Sequence, residues 1–423
     1  MNILVITLNA WNLSNSTGNT ISNLFSKLEK GDNVANVYCR NEEIDNTICH
    51  CYFNVTESDI IKNIFMPNKC GRVEVNDLAM QRKGTVPREG GYAFFKKHRN
   101  TALLLLRELI WAIPVWKNKR LKEFVGNFAP DIIYMHGHYN LYMHWMLSFC
   151  QKVTGAKIVM YWADDMYGRK SKNPLGFFYE SLLRKRFKKS IESSSLLFGG
   201  SLQLCKEYSS IFRKEFVPFF KECKQIRLDE DKTVGKPLTI VYAGNLLFGR
   251  EDIMVSFVKA ITNVNNRGLS NRLFLKIYSN TTPSLDSLLY LDDKKNSVFL
   301  GCKPYSEVCE EMDKADMALF IESFEKRSIL STRLSFSTKI IDCMQSTAAI
   351  LAIGPKEIAS IDYLSNNQLG YIISDVNEME EKLVYLVDHP EMICSMNKRK
   401  VEFALKNHTN TSEKALSEIK KII

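Results

Sequence analysis

The sequence has little that would place the chain in or across a membrane. None of its apolar runs reaches the roughly 18 residues that a membrane-spanning helix needs. The first residues, MNILVITLNAWN, contain no basic segment and no small-residue cleavage site, so we expect no signal peptide. The eleven cysteines are scattered, without a CxxC pair or a cluster with histidine, which argues against a zinc site or a disulfide framework. We therefore expect a cytoplasmic protein with reduced thiols.

The length and the charge distribution indicate two different halves. A chain of 423 residues exceeds the usual size of one hydrophobic core, so two domains of about 200 residues are expected. Residues 1–218 carry 30 Lys and Arg against 19 Asp and Glu, whereas residues 219–423 carry 27 against 28. The first half therefore holds the whole positive excess of +10. Such a surface suits nucleic acid, an anionic membrane or an acidic substrate.

The chain begins in the order that is typical of a parallel doubly wound sheet. A buried-type strand, Ile3–Thr7, leads through a polar turn into a helix, and a second strand follows at Asn33–Cys39. The turn lacks the GxGxxG spacing, which disfavours dinucleotide binding. Gly18, with Asn19 beside it, either lets the loop approach a ligand or only turns the chain tightly.

Two later strands of the first half end in polar side chains. PDIIYMHGH brings His136 and His138 to the end of one strand, and Lys157–Trp162 is followed by Asp164 and Asp165. Parallel sheets bind ligands outside these strand ends. His138 can there orient or deprotonate a hydroxyl, or it can cap the next helix while His136 is buried in the strand. The two carboxylates can orient a hydroxyl or cap a loop.

One basic and aromatic region precedes these two strands, and a second basic segment follows them. Residues 93–125 mix Phe, Leu and Trp with clusters of Lys and Arg, and LLRKRFKK follows at residues 182–189. An apolar helix between basic clusters can lie on an anionic bilayer, and the alternative is a long core helix with solvated ends. The residues that we expect at the membrane are Lys96, Lys97, Arg99, Lys117, Lys119 and Arg120, supported by Arg184 to Lys189.

The second half repeats the alternation of strand and helix after a polar linker at residues 219–237. The predicted strands are Leu238–Ala243, Leu273–Tyr278, Ser297–Leu300 and Met317–Ile321, and the predicted helices are Asp252–Asn263, Ser306–Ala315 and Glu378–Asp388. A polar tail is expected from about Asn397. A last helix, roughly Asn407 to Ile423, has apolar residues at helical spacing.

One stretch, Ser335–Pro355, combines a helix at Lys339–Gln345 with a strand at Ala348–Ile353. Ser337 and Thr338 lie where an N-cap belongs. A helix that opens with Ser-Thr-Lys presents backbone N–H groups, two hydroxyls and an ammonium at one point. This is suited to a phosphate or diphosphate, and an ordinary capped helix is the alternative.

In their order and spacing these segments resemble a two-Rossmann (GT-B) glycosyltransferase of the family 4 type, such as those that build capsular and exopolysaccharides. PDIIYMHGH is similar to the family's "PDIIH-H" strand and LTIVYAGNLLFGR to its "vGrl…K" turn. ADMALFIES is similar to its "AD-…PS" strand, and SFSTKIIDCMQSTAAILAIGP to the helix and strand beside the donor diphosphate. The similarity covers nearly the whole chain.

The resemblance implies an α/β fold of two Rossmann-like, doubly wound parallel-sheet domains that face a cleft, with a C-terminal helix crossing back to the first domain. The implied acceptor-binding domain is 1–218 plus the helix 407–423. The implied nucleotide-sugar domain is 238–406, joined to the first by the linker 219–237.

The resemblance also implies roles for individual residues. Gly244, Arg250, Ser337, Thr338 and Lys339 would hold the donor diphosphate. Asn245 stands where the family usually has Arg, and Asp342 falls at the second acid of the family's two-Glu motif, which typically holds the donor ribose. The first acid is replaced by Leu334, so Glu325 or Glu322 would stand in for it. The catalytic candidates are His138, His136, Asp164 and Glu325, and Gly18, Asn19 and Asp165 are expected on the acceptor side.

The implied reaction moves a sugar from a nucleotide-diphosphate donor, for which a UDP-sugar is the first guess. The acceptor would be lipid-linked or an oligosaccharide in surface polysaccharide biosynthesis, and the transfer would retain the configuration of the sugar. No metal or other cofactor and no nucleic acid partner are expected. The chain would associate peripherally with the inner face of an anionic membrane. A nucleotide-sugar epimerase of the same fold and a non-catalytic sugar-nucleotide-binding partner are the alternatives.

Overall fold

A computed structural model describes residues 1–13, 15–75, 101–171, 173–230 and 232–423. Contacts between residues divide the chain into two units. Unit 1 contains Met1–Phe219 and Ser412–Ile423, and unit 2 contains Phe220–Thr411. Each unit has its own sheet and its own hydrophobic core.

The described residues of unit 1 form an eight-stranded sheet in the order β4-β3-β2-β1-β5-β6-β7-β8. All neighbouring strands are parallel except β3 and β4. The central strands are near-continuous apolar runs because helices cover both faces of such a sheet. The strands are β1 (Asn2–Thr7), β2 (Asn33–Tyr38), β3 (Cys51–Asn54), β4 (Arg72–Val75), β5 (Ile132–His136), β6 (Lys157–Trp162), β7 (Leu196–Gly199) and β8 (Val217–Pro218).

Helices connect these strands and pack on the sheet. Those described before the second unit are α1 (Ser16–Leu24), α2 (Glu57–Lys62), α3 (Thr101–Ala112), α4 (Lys119–Phe128), α5 (Leu141–Thr154), α6 (Pro174–Ser193) and α7 (Leu202–Phe212). Two short 3₁₀ turns lie at Pro67–Lys69 and Pro114–Trp116.

Unit 2 is a smaller sheet of the same kind. Its described strands follow the order β11-β10-β9-β12-β13-β14, and all neighbours are parallel. The strands are β9 (Leu238–Ala243), β10 (Leu273–Tyr278), β11 (Ser297–Gly301), β12 (Met317–Ile321), β13 (Ala349–Ile353) and β14 (Tyr371–Ile373). The helices are α8 (Arg250–Asn265), α9 (Leu285–Leu291), α10 (Tyr305–Lys314), α11 (Lys326–Thr332), α12 (Lys339–Gln345), α13 (Ala359–Asn366), α14 (Met379–Asp388) and α15 (Glu391–Asn407), with a 3₁₀ turn at Val376–Glu378.

Both sheets have a topological switch point, where the strand order reverses. In unit 1 the first strand, β1, lies between β2 and β5, and in unit 2 the first strand, β9, lies between β10 and β12. Open parallel sheets bind ligands outside the carboxyl ends of the strands at this point. The predicted fold class, two Rossmann-like doubly wound domains, is confirmed.

The last helix, α16 (Thr411–Lys421), belongs to unit 1. Its Ala415, Leu416 and Ile419 are buried in the core of that unit, and the Ser412 hydroxyl donates to the Asn23 carbonyl oxygen at 2.7 Å. The predicted return of the C-terminal helix to the first domain is confirmed. The helix was predicted to begin at about Asn407, but this residue ends α15, and α16 begins at Thr411.

One predicted segment is wrong. The expected polar tail from Asn397 lies in α15, which buries apolar side chains at helical spacing and therefore packs on unit 2. In the basic and aromatic region, helix α3 ends at Ala112, because Pro114 cannot donate a backbone hydrogen bond and starts a 3₁₀ turn. Trp111 and Trp116 on either side of it are buried, so the core interpretation holds for both tryptophans.

Three lysines in the two units cap the C-terminal ends of helices. The Lys214 ammonium donates to carbonyl oxygens at the end of α6, and the Lys232 ammonium does the same at the end of α10. Lys400, fully buried, donates to the carbonyl oxygens of Cys343, Ser346 and Ala348 at 3.2, 2.5 and 2.6 Å. A cation there stabilises the negative end of the helix dipole.

The predicted linker is held at a few points in its described part, residues 219–230 and 232–237. Phe219 and Cys223 are buried, and Lys232 ties the segment to α10. Throughout the described ranges, none of the helices combines the length and the apolar character that crossing a bilayer requires.

Candidate functional site

The first candidate site lies at the switch point of unit 2. Strand β9 ends directly before Gly244, β12 ends directly before Glu322, and α12 begins at Lys339. The Lys339 side chain passes so close to Gly244 that a Cβ atom on this residue would lie 1.9 Å from the ammonium nitrogen. Any other residue at position 244 would therefore require the Lys339 side chain to move.

Arg250 and Glu322 form a buried ion pair at the same point. The two side chains are 10% and 5% exposed. Nη2 of Arg250 donates to both carboxylate oxygens of Glu322, at 3.0 and 2.8 Å, and Nε donates to the Ile321 carbonyl oxygen at 3.1 Å. Nη1 donates to the Asn245 side-chain oxygen at 3.0 Å. All three nitrogen atoms of the guanidinium thus donate hydrogen bonds to groups of the protein.

Lys339 is the second cation of this cluster. Burial, and after it the positive charge of Arg250, lowers the pKa of Lys339 to about 8. Burial raises the pKa of Glu322, although Arg250 and Lys339 oppose that shift. Among the residues that the structure describes, the Lys339 ammonium makes no hydrogen bond or ion pair, and it lies 5.4 Å from the centroid of the Tyr242 ring. Two cations with one carboxylate leave one positive charge, which can attract a phosphate group.

Helix α12 begins at Lys339, as predicted. Thr338 is the N-cap residue, but its backbone is helical, with φ −62° and ψ −17°, and its hydroxyl forms no capping hydrogen bond. An N-cap side chain reaches the helix N–H groups from an extended backbone, so this geometry prevents the cap. The N–H of Ser337 donates to the Ser360 hydroxyl at 2.9 Å. Thr338 thus occupies the predicted N-cap position, but the alternative interpretation, an ordinary helix capped by a hydroxyl, is wrong.

Asn245 and Asp342 have partners within unit 2. The Asn245 side-chain oxygen accepts from Arg250, so this residue positions the guanidinium. The Asp342 carboxylate accepts from the Tyr305 hydroxyl at 2.9 Å and lies 3.7 Å from the Lys221 ammonium. Burial raises the pKa of Asp342, against the opposing charge of Lys221.

The position of the missing first acid is filled by a buried side chain. Leu334 is 4% exposed. Glu325 is exposed at the N-cap of α11, where its carboxylate accepts from the Ser328 hydroxyl at 3.1 Å. A Cβ atom on Gly249 would lie 3.4 Å from the same carboxylate, which places Glu325 beside the turn after β9.

The second candidate site lies at the switch point of unit 1. Gly18, in the first turn of α1, packs against the backbone of Asn12, whose carbonyl oxygen would lie 2.1 Å from a Cβ atom on the glycine. The Asn15 side chain caps the helix by accepting from the Gly18 N–H at 2.7 Å. Beside this turn is a cavity of about 130 Å³. It is lined by Thr7, Leu8, Asn9, Ala10, Trp11, Asn15, Thr17, Gly18 and His138.

The two predicted histidines differ in their surroundings. His136 is buried in the sheet between the rings of Tyr134 and Tyr161, at centroid distances of 5.5 and 4.9 Å. His138 lines the cavity, and its carbonyl oxygen lies 3.0 Å from Nε2 of His144. Within the described part of the chain, Nε2 of both His136 and His138 is buried without a hydrogen-bond partner. Burial lowers the pKa of each to about 3, so both imidazoles are neutral near pH 7.

The two aspartates after β6 also differ. The Asp165 carboxylate accepts from the Gly168 N–H at 2.8 Å and from the Tyr208 hydroxyl at 3.1 Å, so it caps a loop. Asp164 is half-buried, and its charge, after burial, raises the pKa of Tyr161. Asn19 lies in α1 outside the cavity lining, where its N–H donates to the Asn15 carbonyl oxygen at 2.9 Å.

The structure thus brings together Gly244, Asn245, Arg250 and Lys339 in unit 2, and Gly18 and His138 in unit 1. Sequence reasoning did not identify Glu322 as the partner of Arg250. Its position directly after a buried strand was the available signal, because such strand ends carry ligand-binding side chains. In the described ranges, no group of three His, Cys, Asp or Glu side chains could hold a metal ion.

No protein-family model matches the chain, and no curated protein sequence is significantly similar to it. Solved structures are similar over the whole length. Sucrose-phosphate synthase from Thermosynechococcus elongatus has a TM-score of 0.62 at 10% identity, covering 100% of this chain and 98% of that one.

Two further structures show the same likeness. Anabaena HepE in complex with UDP-glucose has a TM-score of 0.59 at 9% identity, with 100% of both chains covered. The lipopolysaccharide outer core galactosyltransferase WaaB has a TM-score of 0.57 at 11% identity, covering 97% of this chain and 99% of that one. At these identities the likeness shows the fold, and this chain has the GT-B fold.

Proposed function

We propose that the chain is a glycosyltransferase that moves a sugar from a nucleotide-diphosphate donor, a UDP-sugar first, to a glycan acceptor. The observation that carries the proposal is the cluster of Lys339, Arg250 and Glu322 against Gly244. It lies at the ligand-binding edge of a Rossmann-like sheet and has one positive charge in excess. Of the structures with the same fold, one is named a galactosyltransferase, one a sucrose-phosphate synthase, and one was solved with UDP-glucose.

The chemistry of such a transfer fits this cluster. Breaking the bond between sugar and diphosphate develops negative charge on the leaving group, and a cation aimed at it stabilises the transition state. Lys339 has the unpaired ammonium for this role. Arg250 contributes by fixing the end of β12, and it binds the diphosphate only if Glu322 releases it.

Unit 1 would bind the acceptor at its own switch point, where His138 and Gly18 line the cavity. A neutral imidazole can orient an attacking hydroxyl by accepting its hydrogen bond, whereas the lowered pKa of about 3 makes His138 a weak base for deprotonating it. The acceptor that we propose is lipid-linked, in surface polysaccharide biosynthesis at the inner face of the cell membrane, and we propose transfer with retention. The basic surface of the first half supports a membrane location. Lys117, Lys119 and Arg120 are exposed, whereas Lys96, Lys97 and Arg99 lie outside the described residues.

A non-catalytic sugar-nucleotide-binding protein is the second candidate function. The observation that favours it is Leu334, which is buried at the position of the family's first acid. This candidate predicts that nucleotide-sugars bind but are neither hydrolysed nor transferred.

The test is a panel of nucleotide-sugars, screened by thermal shift and then by release of the free nucleotide. We expect UDP-sugars to raise the melting temperature and at least one of them to be hydrolysed slowly without an acceptor. Binding without hydrolysis or transfer would favour the second candidate, and no binding of any nucleotide-sugar would exclude both.

The acceptor role of His138 is tested by its alanine variant. His138→Ala should lower turnover by about 10²-fold if the imidazole handles the proton. The melting temperature and the affinity for UDP should remain nearly unchanged, since the donor site lies in unit 2. A variant that loses stability together with activity would place His138 in the scaffold.

A further inference from the structure

A buried histidine lies directly behind the loop that carries His138. His144 is on α5, and its side chain is fully buried. Its ring lies beside those of Trp162 and Phe187, at centroid distances of 6.4 and 5.1 Å. Nδ1 lies 2.9 Å from the Ser190 hydroxyl of α6, and Nε2 lies 3.0 Å from the His138 carbonyl oxygen. Both ring nitrogens therefore have a hydrogen-bond partner within unit 1.

These partners decide which nitrogen of His144 carries the proton. A carbonyl oxygen can only accept a hydrogen bond, so Nε2 must donate to His138. Burial lowers the pKa of His144 to about 4, so the ring is neutral near pH 7 and has a single N–H. Nδ1 therefore accepts from the Ser190 hydroxyl, which is able to donate. A serine on one side and a backbone carbonyl on the other thus hold His144 in one tautomer.

The loop residues on either side of His138 are also fixed by backbone hydrogen bonds. The Gly137 N–H donates to the Tyr161 carbonyl oxygen at 2.8 Å. The Tyr139 carbonyl oxygen accepts from the Tyr179 hydroxyl at 3.0 Å. The bond from His144 is therefore the middle one of three that hold successive residues of this loop.

The imidazole of His138 depends on this backbone for its position. Its Nε2 is buried and has no hydrogen-bond partner among the described residues, while the residue lines the cavity of unit 1. A ring without a bond through this nitrogen is placed mainly by its own backbone and by packing. A displacement of about 1 Å at a reacting group can lower a rate by about 10²-fold, so the placement of this backbone matters for turnover.

We infer that His144 is a positioning residue, which fixes His138 in the cavity by donating from Nε2 to the His138 carbonyl oxygen. His144 is not among the described residues that line the cavity, so it acts through the His138 backbone and not on the acceptor itself. The inference deepens the proposed function and, for its effect on turnover, rests on it.

Two substitutions separate the two hydrogen bonds of His144. In His144→Gln the amide nitrogen lies about as far along the side chain as Nε2 of histidine, so it can still donate to the His138 carbonyl oxygen. In His144→Asn the shorter amide lies about where Nδ1 lies, so it can reach Ser190 but not that carbonyl. Both variants place one neutral amide in the same buried site, and each is therefore the matched control of the other.

Turnover is measured on the nucleotide-sugar that the unaltered chain hydrolyses or transfers. We expect His144→Asn to lower turnover by about 10- to 100-fold and His144→Gln to keep most of it. The KM for the nucleotide-sugar and the affinity for UDP should be the same in both variants, since the donor site lies in unit 2.

NMR spectra of the chain labelled with ¹⁵N-histidine read the positioning directly. The signals that both variants lack belong to His144, and those missing in His138→Ala belong to His138. The His144 signals should show a protonated Nε2 and a bare Nδ1. The His138 signals should move in His144→Asn but not in His144→Gln.

Three results would overturn the inference. One is a His144 ring protonated at Nδ1, which is read from the unaltered chain even if a variant does not fold. Another is equal turnover by the two variants. The third is a set of His138 signals that His144→Asn leaves in place. A chain that binds no nucleotide-sugar would contradict the proposed function, and the ring signals would still decide whether His144 positions His138.

Discussion

Lys339 is the cation of the unit 2 cluster whose charge changes near neutral pH. Its pKa is lowered to about 8 by burial, so the folded protein loses this charge as the pH rises through about 8. The affinity for UDP should therefore fall between about pH 7 and about pH 9, because the charged form binds phosphate. Lys339→Ala should weaken UDP binding by about 1–3 kcal/mol at pH 7.

The matched variant for this prediction is Lys339→Arg. A guanidinium stays charged throughout this range, so the variant should bind UDP with an affinity that does not fall with pH. Titration calorimetry at several pH values measures both effects. A pH-independent affinity of the unaltered protein would place Lys339 outside the diphosphate site.

Glu322 limits the positive charge that the cluster offers to an anion. Glu322→Gln keeps a hydrogen-bonding side chain beside Arg250 but removes the negative charge, so the excess rises from one positive charge to two. UDP should then bind more tightly by about 1–2 kcal/mol. This is the Coulomb energy between two unit charges roughly 8–16 Å apart at an effective dielectric constant near 20. Glu381→Gln is the control, since Glu381 is exposed on α14. Weaker binding by a stably folded Glu322→Gln variant would instead make Glu322 a direct partner of the donor.

The residues of the unit 2 cluster could be predicted from the sequence, but the pairing of Arg250 with Glu322 could not. Glycine, arginine and lysine could be assigned to one site because Gly244 and Arg250 follow one predicted strand and Lys339 opens a predicted helix. The ion pair could not, because it joins residues 72 positions apart and depends on β9 and β12 being neighbours. Which side chains meet at a strand end depends on which strands are neighbours in the sheet. The sequence around each strand does not show this.

Among the elements, the buried strands were the easiest to predict. The bounds of β6, β9, β10 and β12 and of helix α12 agree with those predicted, since each is an apolar run or stripe between polar or glycine positions. Helix α15 was interpreted as a tail because most of its residues are polar. Its Lys400 is nevertheless buried, as carbonyl oxygens satisfy its ammonium, and polarity alone could not reveal this.

The return of α16 to unit 1 leads to a stability prediction. Ile419 is fully buried in the core of that unit, so Ile419→Ala should lower the free energy of unfolding by about 2–4 kcal/mol. Lys421→Ala on the exposed side of the same helix should change it by less than about 0.5 kcal/mol. Urea denaturation measures both. Equal, small effects would mean that α16 contributes little to the stability of unit 1.

At the scale of the whole molecule, two separate cores allow ligand effects to be assigned to one unit. UDP at 100 times its dissociation constant should stabilise the state that binds it by about 2.7 kcal/mol. Hydrogen exchange should therefore slow most at the turn Gly244–Arg250 and at the start of α12. Protection centred on the turn that contains Gly18 would place the nucleotide in unit 1 and contradict the donor assignment.

The burial of Lys400 makes the opening of unit 2 measurable by chemical labelling. Burial lowers the pKa of Lys400 to about 7, so the folded protein holds a largely neutral amine in mildly alkaline buffer. An acylating reagent can reach this amine only when unit 2 opens, and the opened amine then regains the pKa of an ordinary lysine because the burial is lost. The acylated nitrogen has one proton and no charge, so it cannot restore all three bonds to the carbonyl oxygens. Each opening that ends in acylation is therefore irreversible, and the fraction of labelled Lys400 records how often unit 2 has opened in the presence of the reagent.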